Sequence, residues 1–251
     1  QIKSHKNNEI IEKSSSGGVF TAISDVILQK AGVIYGAAFT EGHVIRHERA
    51  ETEAGRNRFR GSKYVQSDMG NVMDQIRKDL EAGRWVLFSG TPCQVEGARN
   101  YLLGKHIDSN KLILCDFICH GVASPKIWKE YISFLHNRYK DEIITYIFRG
   151  KEYGWHNFFP KIIVGNQNVS LEYKEKKSFF KIYSTCYITR SCCYNCKWTS
   201  YNRASDITLA DFWNIGSIAR EMDDNRGTSS VLVNTKKGEK YMELSVKDED
   251  G

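Results

Sequence analysis

The sequence lacks several features that would each fix its class. No apolar run approaches the roughly 20 residues that cross a bilayer, no signal peptide is visible, and there is neither an internal repeat nor a low-complexity segment. We therefore expect a globular protein without a membrane span. The chain also has no G-x-G-x-x-G segment, so any bound dinucleotide has to occupy a site unlike the Rossmann fingerprint.

The composition is that of an ordinary globular protein. Its 251 residues are 41% hydrophobic and 26% charged, with a net charge of +6, and this length suits one large domain or two small ones. Lysine and arginine are spread along the chain, which favours a solvated surface over a nucleic-acid patch and leaves open steering toward acidic partners. Seven cysteines are an odd number in a chain too long for a small disulfide scaffold. We therefore expect a reducing, cytoplasmic setting with metal-bound or catalytic thiols.

Hydrophobic periodicity predicts an α/β (α+β) fold. Helices are expected over 19–29, 72–82, 94–103, 124–139 and 179–183, and strands over 33–39, 43–49, 85–89, 111–118, 143–149, 158–164, 169–173, 206–211 and 229–234. Residues 1–13 are predicted to be a loose lead-in. We expect a mixed sheet with flanking helices in residues 1–150, followed by an antiparallel meander and a smaller cysteine-bearing cluster portion in residues 151–251.

Two cysteines follow strands that are predicted to be neighbours. A buried strand over 85–89, a helix and a second buried strand over 111–118 form a strand–helix–strand unit, which implies a parallel pair with a right-handed crossover. Cys93 and Cys119 come just after these strands. Ligands of open α/β sheets bind at this carboxyl edge, so the topology predicts that the two thiols converge.

The segment Cys193-Tyr194-Asn195-Cys196 adds a pair of thiols on a predicted loop. Zinc ribbons usually show two C-x-x-C pairs, and only one is present here. A thioredoxin-like dithiol would follow a strand and open a helix. Two single cysteines in glycine-bearing turns plus one pair favour a 4Fe–4S cluster held by Cys93, Cys119, Cys193 and Cys196. A zinc-stabilised binding or scaffold module without redox activity is the alternative.

The other three cysteines are not expected to be ligands. Cys115 lies inside an apolar strand and Cys186 follows a helix, and free cysteine is among the most buried residue types. We predict that both are core residues. Cys192 directly precedes Cys193, and because adjacent cysteines rarely bind one metal ion, we predict that it is a bystander.

Several other residues are candidates for contacts to a cofactor. The turn Ser15-Ser16-Gly17-Gly18 opens a helix and could bind an anion, although simple helix capping explains it equally well. His120 follows a proposed ligand and could relay protons or tune the cluster, or merely bond the backbone. Lys63 and Arg190 could contact a phosphate, or could be ordinary solvated side chains.

Seven ordered motifs carry a resemblance to a known family. They are Ser16-Gly17-Gly18-Val19-Phe20, Gly61-Ser62-Lys63-Tyr64-Val65-Gln66-Ser67, Gly90-Thr91-Pro92-Cys93-Gln94, Cys119-His120-Gly121-Val122, Phe148-Arg149 with Gly154-Trp155, Cys193-Tyr194-Asn195-Cys196, and the stretch from Asp206 to Trp213. From about Ser14 to Gly238 the chain resembles the coenzyme F420 hydrogenase/dehydrogenase beta-subunit family.

The resemblance implies an iron–sulfur flavoprotein oxidoreductase. Family members bind FAD beside a 4Fe–4S cluster and pass electrons to or from a small organic redox substrate, which is a coenzyme F420-like deazaflavin in some members. By motif, the four proposed cysteine ligands correspond to the cluster ligands, and Lys63 with the Ser15–Gly18 turn is the expected flavin contact. Many relatives also carry an N-terminal ferredoxin-like segment, so we expect a ferredoxin-like electron donor or such a segment outside the chain. A form that keeps the cluster without flavin is a further alternative.

Overall fold

The structure is a computed structural model, and it describes residues 2–3, 5–174 and 178–247. The strands are β1 Ile2–Lys3, β2 Val33–Phe39, β3 Ile45–Ala50, β4 Val86–Ser89, β5 Leu112–Phe117, β6 Ile143–Gly150, β7 Phe159–Val164, β8 Gln167–Asn168, β9 Ile207–Asp211 and β10 Ser229–Val233. The helices are α1 Asn8–Glu12, α2 Val19–Gln29, α3 Glu53–Asn57, α4 Val72–Glu81, α5 Pro92–Gly104, α6 Pro125–Tyr139, α7 Phe179–Ser184, α8 Ser191–Tyr194, α9 Ile215–Ile218 and α10 Lys236–Lys247.

Seven strands form one mixed sheet in the order β1-β10-β9-β5-β4-β2-β3. The central strands β9, β5, β4 and β2 are parallel, and β3, β10 and β1 pair antiparallel at the edges. Helices α2 and α10 pack on one face of the sheet, and α4 and α5 pack on the other. The predicted α/β fold with a mixed sheet and flanking helices is confirmed.

The predicted parallel pair is also confirmed. Strands β4 and β5 pair in parallel register from Val86 with Leu112 to Ser89 with Cys115, and α5 connects them. The carboxyl ends of both strands therefore lie at one edge of the sheet. Strand β9 is parallel to β5 and ends at the same edge.

A smaller sheet, β6-β7-β8, is antiparallel. It packs through an aromatic cluster in which the Trp128 ring lies 4.8 Å from the Tyr146 ring, 5.1 Å from Phe148 and 4.9 Å from Phe179, measured between centroids. Phe39 of β2 stacks on Phe148 at 6.1 Å. Aromatic packing therefore joins the small sheet to the large one.

Some predicted elements differ from the structure. The strand expected over 169–173 is wrong, because Ser170–Tyr173 is a 3₁₀ turn. The Asn168 side chain accepts hydrogen bonds from the Ser170 backbone N–H at 3.1 Å and the Ser170 hydroxyl at 2.5 Å, and such a local side-chain turn competes with strand pairing. The lead-in, which the sequence predicts to be loose, contains β1 and α1.

The proposed division near Gly150 stays a prediction. Both sides of it contribute to the large sheet, since β9 and β10 follow Gly150 in the sequence and pair with β5 and β1. Among the residues that the structure describes, no helix is long and apolar enough to cross a membrane.

Candidate cofactor site

Cys93 lies in the first turn of α5, which begins at Pro92, two residues earlier than predicted. Thr91 precedes the helix, and its backbone N–H donates to Gln94 Oε1 at 3.0 Å, which satisfies a donor at the helix start. The Thr91 hydroxyl lies 3.1 Å from Cys93 Sγ. The Cys93 side chain is exposed and lies just beyond the end of β4.

Cys119 lies two residues beyond the end of β5, in a segment held from both sides. Ala123 pairs with Val65 on one side and with Thr189 on the other, and the Arg190 backbone N–H donates to the Val122 carbonyl at 2.9 Å. The loop over 61–67 and the start of the cysteine loop therefore flank the Cys119 segment. The Gly61–Ser67 and Cys119–Val122 motifs, which are far apart in sequence, are neighbours in the fold.

Cys193 and Cys196 lie on the cysteine loop, which we define as residues 185–203. Gly121 has a φ of +97°, and a Cβ on it would lie 2.5 Å from Thr189 Cγ2 and 3.3 Å from Cys193 Cβ. The Cys119 turn therefore packs directly against the cysteine loop at a place that only glycine fits. The Trp198 indole N–H donates to Glu96 of α5 at 2.5 Å, which ties the loop to the helix that carries Cys93.

The four thiols lie in one electrostatic neighbourhood. Burial raises the pKa of Cys119 to about 11, and Cys93, Cys193 and Cys196 raise that pKa further because like charges repel. Burial likewise raises the pKa of Cys193, with contributions from Cys192 and Cys93. A positively charged group bound among these sulfurs would lower the pKa of both Cys119 and Cys193. Across 2–3, 5–174 and 178–247, no three His, Cys, Asp or Glu side chains are placed to hold a single metal ion.

The donor set fits an iron–sulfur cluster. Three separate segments supply it: the start of α5, the turn after β5 and the cysteine loop. A four-iron cubane takes four thiolates, one for each iron, and a cluster is wider than a single ion. The assignment of Cys93, Cys119, Cys193 and Cys196 as its ligands stays a prediction.

The remaining cysteines are placed differently from one another. Cys115 is 1% exposed in β5, as predicted for a core residue. The prediction for Cys186 is wrong, because this side chain is exposed. Cys186 lies two residues beyond α7 and has a φ of +66°. Its carbonyl accepts from Tyr194 Oη at 2.6 Å and from the Thr189 N–H at 3.1 Å, so its partners in the loop bond its backbone. Cys192 is exposed.

The Ser15–Gly18 turn is fastened to the rest of the protein. The Ser16 hydroxyl donates to the Thr228 carbonyl at 2.7 Å, and the Gly17 N–H donates to Ser229 Oγ at 2.9 Å. Gly18 has a φ of +83°, and a Cβ on it would meet His5 and Ile10 at 3.1 Å. Ser15 also has partners, since its Oγ accepts from the Ser62 N–H at 2.6 Å and its carbonyl accepts from the Trp155 indole N–H at 3.0 Å. Ser15 lines a cavity as well. The flavin contact predicted for this turn stays a prediction.

Lys63 points toward its own loop. Its Nζ lies 3.0 to 3.4 Å from the carbonyls of residues 58–61, beyond the end of α3. Burial and the Arg58 guanidinium lower the pKa of Lys63 to about 7. The structure thus gives Lys63 a loop-closing role, and the flavin contact predicted for it stays a prediction.

Arg190 and His120 are both exposed and lie next to the cysteines. Arg190 precedes α8, and its carbonyl accepts from the Cys193 N–H at 2.9 Å. His120 lies between Cys119 and Gly121 in the turn that contacts the cysteine loop. Their proposed roles in cofactor contact and proton transfer stay predictions.

A cavity of about 550 Å³ lies beside the Ser15 turn. Its wall includes Ser15 and Ser62 from two of the predicted motifs, and Arg149, Lys151 and Lys161 from β6, the segment after it, and β7. Arg149 is only 6% exposed. The signal in the sequence is the Phe148-Arg149 pair at the end of a predicted strand, which is one of the seven motifs of the family resemblance.

Comparisons with known proteins agree with the fold and the motifs. The model for the C terminus of the coenzyme F420 hydrogenase/dehydrogenase beta subunit matches residues 83–250. No curated protein matches the chain. Among solved structures, a chain of the xenon-derivatised F420-reducing NiFe hydrogenase complex from Methanosarcina barkeri is similar, with a TM-score of 0.65 and 16% identity over 98% of this chain and 78% of that chain. This likeness shows a shared fold, and the family match spans more than half of the sequence. The chain therefore belongs to the coenzyme F420 hydrogenase/dehydrogenase beta-subunit family.

Proposed function

We propose that this protein is an iron–sulfur flavoprotein oxidoreductase with a 4Fe–4S cluster held by Cys93, Cys119, Cys193 and Cys196. The observation that supports the proposal is the meeting of three cysteine-bearing segments. The turn after β5 packs against the cysteine loop at Gly121, and Trp198 of that loop bonds Glu96 of α5, the helix that carries Cys93. The membership in a hydrogenase/dehydrogenase family supports a redox role.

Each segment of the chain has a distinct part in this site. The start of α5 positions Cys93, and the turn after β5 positions Cys119 at a depth where burial raises its pKa. The cysteine loop packs against the Cys119 turn, where Gly121 lies against Thr189 and Cys193. When bound, a 4Fe–4S cluster supplies one-electron transfer. The protein supplies its ligands.

We propose FAD as the second cofactor, because the family resemblance implies it and because a cavity of about 550 Å³ adjoins the Ser15 turn. A flavin exchanges both single electrons and electron pairs, and so links a cluster to an organic acceptor. Coenzyme F420 or another small organic molecule is the proposed acceptor. A ferredoxin-like protein or segment, or a hydrogenase-type subunit, is the proposed electron donor, and the free thiols suit a reducing cytoplasm.

The proposal is tested on protein purified without oxygen. We expect about four iron and four sulfide per chain and saturable FAD binding near micromolar concentration, which corresponds to about −8 kcal/mol. Stoichiometric zinc without acid-labile sulfide would contradict the cluster and favour the zinc-stabilised scaffold. A complete cluster in a protein that FAD never saturates would remove only the flavin from the proposal.

A further inference from the structure

The cysteine loop is tied to the rest of the protein near both of its ends. Close to its start, the Arg190 N–H donates to the Val122 carbonyl at 2.9 Å, in the turn after β5. At its end, Arg203 Nη1 lies 3.6 Å from Asp116 Oδ2 of β5, and both side chains are buried. Residues 191–202 therefore form a span between two fixed points, and this span contains the C-x-x-C pair.

The two cysteines of the span are held by different neighbours. Cys193 lies against the turn after β5, where a Cβ on Gly121 would come within 3.3 Å of Cys193 Cβ. Cys196 is followed two residues later by Trp198, whose indole N–H donates to Glu96 Oε2. Trp198 is partly buried, whereas the residues on either side of it are exposed. The second half of the span is thus joined to α5 through the Trp198 side chain.

Glu96 connects this contact to the first proposed ligand. It lies three residues after Cys93 in α5, and residues three apart are neighbours on the surface of a helix. A carboxylate acceptor also gives a stronger hydrogen bond than a neutral one. The hydrogen bond between Glu96 and Trp198 therefore links the helical turn that carries Cys93 to the loop segment that carries Cys196.

We propose that Glu96 and Trp198 are positioning residues, which hold Cys93 and Cys196 at the separation that a bound metal group requires, an inference that rests on the proposed function for the identity of that group. Ligands must be held within about 0.5 Å of their working geometry by residues around them. Neither Glu96 nor Trp198 is a proposed ligand. Their hydrogen bond acts on the group through the two chain segments that it joins.

The experiment measures the rate at which anaerobically purified full chain loses iron to a chelator. Trp198→Phe keeps an aromatic ring and removes the N–H donor. Glu96→Met keeps a long side chain of similar helix propensity and removes the acceptor. We expect each variant to lose iron about fivefold faster than wild type, as fits the loss of one hydrogen bond. Glu96→Gln keeps an oxygen that accepts from Trp198 and should lose iron at nearly the wild-type rate.

Two further proteins control for effects outside this hydrogen bond. The double variant of Trp198→Phe with Glu96→Met should lose iron no faster than either single variant, because all three lack the same bond. Trp85→Phe is the matched control. Trp85 is also partly buried, but it precedes β4, at the end of the strand opposite to Cys93, and its ring packs 5.5 Å from that of Tyr241. Its replacement should leave the rate of iron loss unchanged.

Urea unfolding separates positioning from simple stabilisation. Trp198 and Glu96 are both partly exposed, and hydrogen bonds at such places contribute little to global stability. We expect the urea midpoint of Trp198→Phe and of Glu96→Met to equal that of wild type. A fall in the midpoint large enough to account for the faster iron loss would mean that the pair only stabilises the fold, and would overturn the inference.

The remaining outcomes distinguish this inference from the proposed function. Zinc in place of iron would remove the proposed cluster, and the rate of zinc loss from the same variants would then test the pair. In a wild type that holds no metal, amide hydrogen exchange over 191–202 should be faster in Trp198→Phe than in wild type, and unchanged exchange would contradict the pair's role. Metal loss at the wild-type rate in Trp198→Phe, or equal rates in Glu96→Gln and Glu96→Met, would also overturn the inference.

Discussion

The cysteines of this chain are proposed ligands, core residues or surface residues according to their neighbours, and residue type alone does not separate these classes. The proposed ligands Cys93 and Cys119 lie just beyond β4 and β5, where two parallel strands end at one edge. Cys115 packs in the core two residues before the end of β5, and Cys186 is exposed at the end of α7. The strand pattern predicted the first two classes. The left-handed backbone that turns Cys186 outward has no signature in the sequence.

Single serine replacements test this classification. We expect Cys93→Ser, Cys119→Ser, Cys193→Ser and Cys196→Ser to lose or destabilise the cluster, because a serine hydroxyl is a much poorer iron ligand than a thiolate. Cys115→Ser should keep iron and cost about 1–3 kcal/mol of stability, since it buries a hydroxyl. Cys186→Ser and Cys192→Ser should keep iron and change the unfolding free energy by less than about 0.5 kcal/mol. Iron and sulfide assays measure the cluster content, and urea unfolding measures the stability. Full iron in Cys119→Ser would show that the ligand set is wrong.

Lys63 shows how a residue chosen for cofactor contact has a second task. Its ammonium group closes the loop over 58–61 through backbone carbonyls, directly before Ser62 of the cavity wall. We expect Lys63→Ala to lower the unfolding free energy by about 1–3 kcal/mol, because it leaves carbonyls unsatisfied, and to weaken FAD binding without removing iron. Lys129→Ala, an exposed lysine of α6, is the control and should be neutral. Unchanged stability in Lys63→Ala would argue against the loop-closing role.

At the scale of elements, long segments with a clear hydrophobic period were predictable. The boundaries of α2 and β2 agree with the sequence prediction at both ends, and α6 ends at Tyr139 as expected. The sequence analysis did not predict the polar helices α3 and α10. Charged residues interrupt the hydrophobic period in both. Side-chain turns such as that of Asn168 and Ser170 also override strand propensity. Such turns join residues that are two apart, and the hydrophobic period does not register them.

The meeting of the Cys119 turn with the cysteine loop is an element-scale contact that a single methyl group should break. We expect Gly121→Ala to lower the iron content, because its Cβ would lie 2.5 Å from Thr189 Cγ2 and its φ of +97° is strained for alanine. The large sheet should stay folded, as measured by circular dichroism. Gly97→Ala is the matched control, since Gly97 is in α5 and a Cβ there meets no atom within 4 Å. It should be neutral or stabilising by up to about 1 kcal/mol. Full iron in Gly121→Ala would mean that the loop adapts and that this contact does not position Cys193.

On the scale of the whole molecule, the site depends on segments that are distant in sequence. The cysteines occupy the edge where β4 and β5 end, whereas the cavity is formed by the lead-in, the loop over 61–62, the small sheet and the segment near Arg226. The first arrangement follows from the topology of one strand–helix–strand unit, so the sequence predicted it. The second requires the small sheet to pack on the large one, and no local pattern specifies that packing.

One network joins the large sheet, the 61–67 loop and α5 through a buried histidine. His47 of β3 is 7% exposed; its Nε2 lies 3.0 Å from the Ser89 carbonyl and its Nδ1 lies 2.8 Å from the Ser67 hydroxyl. Gln94 donates to the same hydroxyl at 2.9 Å. A carbonyl can only accept, so Nε2 carries the proton, and Nδ1 accepts from Ser67. Burial lowers the pKa of His47 to about 4, with a smaller effect of Lys63.

His47 should make the unfolding free energy of the protein depend on pH. The pKa of His47 is about 4 in the folded protein and about 6.5 in the unfolded chain, so between these values the unfolded chain binds a proton that the folded protein does not. The stabilising contribution is therefore complete above pH 6.5 and is lost as the pH falls toward 4, by about 3 kcal/mol. Urea unfolding at several pH values should show wild type losing more stability over this window than His47→Gln, which does not titrate. His136→Gln, an exposed histidine, should follow the wild-type curve. Parallel curves for wild type and His47→Gln would show that the buried network tolerates the imidazolium and that acid acts on the fold elsewhere.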